Sequence, residues 1–404
     1  MAQRRHWGAR GIVSLLIFII AALSTPIALV GNWGHRTVTD SATYIETVGP
    51  LAADPAIQQA VAAKVTEAIT AEIDTTGLVG GFLDNFIKSP DLNDKLSAPI
   101  AAGINSLIGN LVLKFVQSDA FQTVWIDVNT AAQKSLVAIL NGGNEGPIQV
   151  NGDAIVLDVT SLLTVIQQKL VADGATILEN VPIPDNGKQV VLFESPMIGA
   201  AQTIYKLSAP ILMYYPLFVA LLFALSIALA RNRPRTVLAT GIALAVSALV
   251  LRFSMTSLHD LVTSQYRGSL FDAAFDAFWN QFFANLITGI MALLLLGIVI
   301  GVAGWYAGRS RPATRIREEV CTGLHQLSVG APRGLNDWVR RYGAVLRWAV
   351  GVVFILVLVL AGSLTPERVF WLSALAAGLF TLIELFNAPD REVVVEEFVV
   401  VEGV

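Results

Sequence analysis

The sequence predicts a mainly α-helical, polytopic membrane protein with a mostly helical extracytoplasmic domain that contains a small antiparallel β-sheet. Three observations lead there. The 404-residue chain is 54% hydrophobic and only 14% charged, too apolar for an average soluble protein. Six segments have the length and apolarity of spanning helices: about 11–31, 211–230, 236–251, 283–307, 343–361 and 370–386. Between the first two lie residues 32–208, whose apolar residues follow the periods of folded helices and strands.

Arginine orients the spans. Arg4, Arg5 and Arg10 precede the first, Arg231, Arg233 and Arg235 follow the second, and Arg309, Arg311, Arg315 and Arg317 follow the fourth, with Arg333, Arg340 and Arg341 before the fifth. With six spans all of these fall on one side, and loops that carry such charge resist translocation, so that side is cytoplasmic. Both termini are then inside. All eight lysines lie between the first two spans. Trp7, Trp33, Tyr214, Tyr215, Trp279, Trp305, Tyr306, Trp348 and Trp371 fall near span ends, where amphipathic rings favour the headgroup layer. Trp125 does not, and is assigned to a soluble core. The first span starts basic, like a signal peptide, but its apolar run is long and lacks a clean A-x-A site, so an uncleaved anchor is expected, bent at Pro26.

The chain is thus expected to comprise a cytoplasmic start (1–10), the first span (11–31), the extracytoplasmic domain (32–208) and spans two to four (209–307) with an outer amphipathic segment (258–282). A basic cytoplasmic loop (308–342), spans five and six (343–386) and an acidic cytoplasmic tail (387–404) follow. The domain carries 18 acidic and 9 basic residues, a net of −9 that disfavours anionic lipid.

Its elements can be read in order. Asp54 and Pro55 start a helix to Ile73 as cap and first residue, with Ile57, Val61, Val65, Ile69 and Ile73 as an apolar stripe. Gly80 and Gly81 predict a turn before a short helix, Phe82 to Ile87. A helix from Pro99 to Val116 places Ile100, Ile104, Leu107, Ile108, Leu111 and Phe115 on one face. Ser118 or Asp119 caps the next, to about Leu140, with Phe121, Val124, Trp125, Val128, Leu136 and Leu140 buried, and Asn141, Gly142 and Gly143 end it. The period then changes: Asn151-Gly152 between β-branched runs predicts a hairpin over 147–159, and QVVLF at 189–193 a third strand. A helix over about 161–172 and the loop VPIPDNG separate them. From Pro196 the chain is helical again and runs into span two, with Pro210 and Pro216 as kinks.

Few residues point to chemistry. Phe271, Phe275, Phe278 and Phe282 share one helical face, while Asp272 and Asp276 project from another. This stripe is either an interfacial or docking surface, or a helix lying under the protein's own outer domain, and the second reading is preferred. Glu384 is the only acidic residue inside a span; with Arg347 at the same end of the antiparallel neighbouring span it makes a structural ion pair a better expectation than a transport site. His6, His35, His259 and His325 lack metal-ligand spacing, and Asp260 beside His259 is a weak acid–base pattern. No phosphate-binding loop, nucleotide fingerprint, HExxH or G-x-S-x-G occurs, and the lone Cys321 excludes an intrachain disulfide. No catalytic residue, cofactor or metal is expected. The loop 308–342 has seven arginines against three acids, whereas the tail DREVVVEEFVVVEGV has five acids and one arginine, a pattern of topology and solubility or of tail-to-loop attraction.

DSATYIETVGPLAADPAIQQAVAAKVTEAI (40–69), SDAFQTVWIDVNTAAQKSLVAILNG (118–142), VNGDAIVLDV (150–159), VLFESPMIGAAQTIYKL (191–207) and AGRSRPATRIR (307–317) together resemble a family of uncharacterised actinobacterial integral membrane proteins with a helical extracytoplasmic domain between the first two spans. The likeness covers roughly residues 30–320 and implies a plasma-membrane location facing the cell envelope. It carries no site residue with it.

The expected function is therefore that of a non-enzymatic envelope protein whose outer domain binds or organises partners. The alternative is handling or transport of a lipid or other hydrophobic envelope molecule. Membrane lipids and other envelope proteins are the expected partners, and nucleic acid is not. A transport path would need polar groups within the spans or broken helices in matched halves.

Overall fold

The computed structural model describes residues 9–72, 75–83, 90–143, 148–158, 189–269, 271–308, 310–312, 314–315, 333–360 and 364–387. The expected helix over 161–172, the VPIPDNG loop, most of the basic loop and the acidic tail lie outside them. The chain is mainly α-helical, and its described residues divide into two compact units. One comprises residues up to Thr25, Val219–Leu249 and the chain from Thr288 onward; the other comprises Pro26–Phe218 and Val250–Ile287. The division falls within α1 (Ala9–Thr39), α7 (Ile198–Leu229), α8 (Arg233–Tyr266) and α10 (Ala284–Tyr306).

The first unit is a helical bundle. Among the described residues seven helices are long and apolar enough to cross a membrane: the six expected, and Lys95–Val116 of the second unit. The third expected span, read as short, continues to Tyr266 in the 34-residue α8. Here α1 and α7 run antiparallel and exchange hydrogen bonds: Ser14 Oγ donates to the Ser226 carbonyl (2.9 Å), and Ser226 Oγ to the Ser14 carbonyl (3.0 Å). Both serines are buried, so each apolar helix satisfies the other's polar group. Arg10 Nε and Nη2 donate to the carbonyls of Leu229 and Ala228, the open end of α7, where a cation favours the dipole.

Glycine sets the distance between α8 and α10. A β-carbon added to Gly241 would lie 2.5 Å from the Gly297 carbonyl oxygen, and one on Gly297 2.6 Å from the Ala245 nitrogen. Gly304 likewise faces the backbone of Leu238. Gly297, Gly301 and Gly304 therefore form the small-residue seam through which apolar helices come into backbone contact. Helices α11 (Arg333–Leu360) and α12 (Pro366–Asn387) pack together, with Leu358, Val369 and Ala292 of α10 in one buried cluster.

The second unit has a soluble-type core. Asp40 caps α2 (Ser41–Val48), and a 3-10 turn leads to α3 (Pro55–Glu72). Asp54 Oδ1 accepts from the amides of Ala56 (2.8 Å) and Ile57 (3.2 Å), as its place before Pro55 predicts. Asp54→Ala is expected to destabilise the unit by about 1 kcal/mol, the usual worth of such a cap, seen as a lowered thermal midpoint of the purified chain. The i+4 stripe on α3 only partly holds: Ile57 is buried, but Val65 is 40% exposed. At about 100° per residue, each four-residue step overshoots a turn by about 40°, so the stripe winds off the core.

Helix α4 (Thr75–Leu83) runs straight through Gly80 and Gly81, where the sequence predicts a turn. It packs on α5 (Pro90–Val116), which begins nine residues earlier than expected and contains Pro99. Close packing against α5 outweighs the helix cost of the glycines, about 1 kcal/mol each.

Ser118 caps α6 (Asp119–Leu140), its Oγ accepting from the Phe121 amide, and Gly142 ends it at φ +82°. Trp125 belongs to the core as expected: its ring meets two buried clusters, and Nε1 donates to the Val48 carbonyl (3.0 Å). Buried Gln133 accepts from Ser41 Oγ and donates to the Val38 carbonyl, tying α6 to the chain emerging from α1.

The sheet has the order β1-β2-β3, antiparallel throughout: β1 (Ile148–Asn151), β2 (Ala154–Asp158) and β3 (Gln189–Glu194). Asn151 pairs with Ala154, so the two-residue turn is Gly152-Asp153, one position beyond the expected pair. Gly152 takes the positive φ (+62°) at the first turn position, which matches the twist of the strands.

Candidate functional site

A cluster of polar and aromatic side chains lies in the second unit, where α8 turns into α9 (Phe271–Phe282). Gly268, at φ +76°, makes the turn, and Ser269 Oγ accepts from the Phe271 amide to start α9. The turn brings His259 back against Asp276: Nε2 stands 2.9 Å from Oδ1, while Nδ1 is 3.5 Å from Asp260, at the limit of a hydrogen bond. The imidazole stacks on Phe275 and meets the edge of Trp279, with centroids at 6.0 and 5.3 Å; Tyr266 stacks on Phe275 in turn. The Asp260 contact is visible in the sequence as adjacency. Asp276, the closer partner, lies 17 residues away on another helix, and nothing local announces it. Both ring nitrogens face carboxylates, and the rings around them stack on one another, so the group clasps α9 to α8.

The four phenylalanines of α9 do not share one environment. Phe271 and Phe282 pack on a buried cluster of Val48, Leu51, Ile57, Ala60 and Ala274, and Lys64 Nζ lies 5.4 Å above the Phe271 ring. Phe275 belongs to the His259 group. Phe278, stacked on Phe282, is the exposed member of the four. Helix α9 thus lies against α3 and α2 of its own unit. Trp33, from the C-terminal part of α1, closes the group against Phe282 and Phe283.

Arg347 is half-buried on α11, and the side chain of Glu384 lies outside the described residues, as do His6, His325 and Cys321. Among the described residues no group of three His, Cys, Asp or Glu side chains is placed to hold a metal ion.

One titrating group is tuned by its geometry. Asp40 accepts from Thr43 Oγ1 (2.9 Å) and the Ala42 amide (3.0 Å); the Thr43 hydroxyl first and then, against the opposing effect of burial, the Ala42 amide hold its carboxyl below the ordinary carboxylate value. A lowered folded-state value stabilises the fold above the ordinary carboxylate range, and the contribution is lost as pH falls through and below it. The stability of the wild type, measured by denaturant unfolding at a series of pH values, should therefore fall more steeply through and below the ordinary carboxylate range than that of Asp40→Asn, which lacks this component.

Sequence reasoning misses the outward face of α5. Before its last two turns the side chains it turns inward are mostly small, with Ser97 and Ala101 buried, Asn105 half-buried and Gly109 against Thr66 of α3, and at its end Val112, Leu113 and buried Val116 join the core. The large ones read as a single face, Ile100, Ile104, Leu107, Leu111 and Phe115, are exposed, and only Ile108 of that set is half-buried. A helix apolar nearly all round leaves two candidate faces, and the small residues win the inside because they allow closer approach. No protein-family model, curated protein or solved structure matches the chain.

Proposed function

We propose that the chain is a multi-pass plasma-membrane protein of the cell envelope, with both termini cytoplasmic, whose outer body binds or organises other envelope components without catalysis. The proposal includes its kinship with the actinobacterial family it resembles. One observation carries the reading. The segments between spans one and two and between spans three and four belong to one unit, with only the scattered Arg36, Arg252 and Arg267, whereas the arginine clusters all belong to the other. That partition is what a six-span protein with cytoplasmic termini would produce, and it leaves a body of helices and a small sheet as the part that meets partners. The net charge of −9 over 32–208 favours a cationic partner surface.

In-cell photo-crosslinking from Lys134, exposed on α6, is the test. Discrete adducts with other envelope proteins are expected. Their absence from Lys134 and from a second exposed site at Asp153 would remove the reading's support.

The exposed face of α5 favours a second reading, the handling of a lipid. Co-purification of a stoichiometric lipid, detected by native mass spectrometry and abolished by Leu107→Asp, would favour it over partner binding.

A further inference from the structure

Helix α5 carries a stripe that a water-exposed helix would not tolerate. Leu96, Ile100, Ile104, Leu107, Leu111 and Phe115 recur at spacings of four and three, and Leu107 and Leu111 are 64% and 66% exposed. No charged residue occurs between Lys95 and Lys114. Lys95–Val116 is itself long and apolar enough to cross a membrane.

It does not cross. A spanning α5 would put the residues before it and the residues after it on opposite sides of the lipid. Instead the Val38 carbonyl accepts from Gln133, the Val48 carbonyl accepts from Trp125, and Ala52 and Ala62 share a buried cluster with Val116 and Phe121. Residues preceding α5 and residues following it make one core. Helix α3, packed along α5, also carries Lys64 and Glu67, exposed and paired with each other, which a crossing would drag to membrane depth.

We infer that α5 lies in the plane of the outer leaflet, with its Leu96 to Phe115 stripe seated in lipid hydrocarbon and its small-residue face carrying α3 and α4. The inference rests on the reading that the unit is tethered to the bilayer on the extracytoplasmic side. Tethering keeps the stripe within reach of lipid at all times, so no separate binding step is needed. Lys95 and Lys114, exposed at the two ends of the uncharged run, can lay their stems along the apolar surface and reach headgroup phosphates. The helix's own charges, Asp91, Asp94, Lys95 and Lys114, cancel, so the hold is apolar contact and not attraction to anionic lipid.

The test uses full-length Cys321→Ser chain in phosphatidylcholine vesicles, spin-labelled at Leu107→Cys, at Leu111→Cys or, for reference, at Glu67→Cys on the exposed side of α3. Labels at 107 and 111 should collide with a water-soluble nickel chelate several-fold less than the label at 67, and with oxygen more. Nickel collision equal to that at 67 overturns the inference. So does shielding from both probes, which would mean a protein cover such as a second copy. Impermeant-thiol labelling, in vesicles of the same composition, of Asp153→Cys on the Cys321→Ser chain and, in a separate preparation, of the native chain at Cys321 separates the two readings. Both sites on one side with a lipid-seated stripe would refute the sidedness alone; opposite sides with a water-exposed stripe would refute the lipid seat alone.

Discussion

Gly241→Leu will unfold or misassemble the bundle unit, costing more than the 1–3 kcal/mol of ordinary overpacking, of order 4 kcal/mol. The reason is what the new side chain would strike. Even a single carbon at this position falls 2.5 Å from the Gly297 oxygen and the Gly301 Cα, and backbone of a packed helix cannot rotate aside as a side chain can. Helices α8 and α10 would have to separate along the whole seam of Gly241, Gly297, Gly301 and Gly304, losing the dispersion contacts that hold apolar helices together when no hydrophobic drive acts between them. Gly351→Leu and Gly378→Leu are the controls, since nothing lies within 4 Å of a β-carbon at either position. Thermal unfolding in detergent should show a large loss for Gly241→Leu and Gly297→Leu and little for the controls. Equal losses at all four would contradict the close-packed seam.

Trp125→Ala should have the second-largest effect, about 3 kcal/mol, the low end for aromatic truncations because the indole is half-buried. The indole joins two clusters, one containing Val48, Leu51 and Ile57, the other Ala62, Val116 and Phe121, so its removal opens a void where α2, α3 and α6 meet. The Val48 carbonyl also loses its indole donor. Trp125→Phe separates the two contributions: most of the volume stays, the hydrogen bond goes, and the loss should shrink to about 1–2 kcal/mol. Denaturant unfolding of the full chain, with hydrogen exchange read in α2 and α6, is the measurement. Equal protection in Trp125→Ala and wild type would show that the ring lies outside the core.

Features encoded by neighbouring residues are legible in the amino-acid sequence. Asp54-Pro55 caps α3, Ser118 caps α6, and Asn151-Gly152 announces the hairpin, because a cap or turn involves only a few adjacent side chains and amides. The continuous apolar runs locate the spanning helices for the same reason. Features that depend on what packs opposite are not legible that way. The glycines of α10 have their counterpart at Gly241, about sixty residues earlier, and their close approach exists only once the helices meet. The Gly297-x-x-x-Gly301 spacing inside an apolar run is the one local clue to it. Gly80 and Gly81 point to a turn that does not form, because packing against α5 overrides their low helix propensity. Helix α5 hides its inner face because apolarity on nearly every side gives no moment that distinguishes inside from outside. Of the candidate site, His259 and Asp260 stand out as neighbours and Asp276 does not. The phenylalanine stripe is legible as a face, but its division between a core cluster, the His259 group and an exposed ring is set by α2 and α3.

The central claim is that the outer body stands on the opposite side of the membrane from the arginine clusters. The chain carries its own reporter, because its single cysteine, Cys321, lies in the basic loop. Intact cells should be treated with a membrane-impermeant maleimide, using the native chain and a Cys321→Ser, Asp153→Cys variant whose thiol sits in the exposed hairpin turn. The expected result is that position 153 is labelled in intact cells and that Cys321 is labelled only after permeabilisation. Labelling of Cys321 in intact cells, with position 153 protected until the membrane is opened, would contradict it.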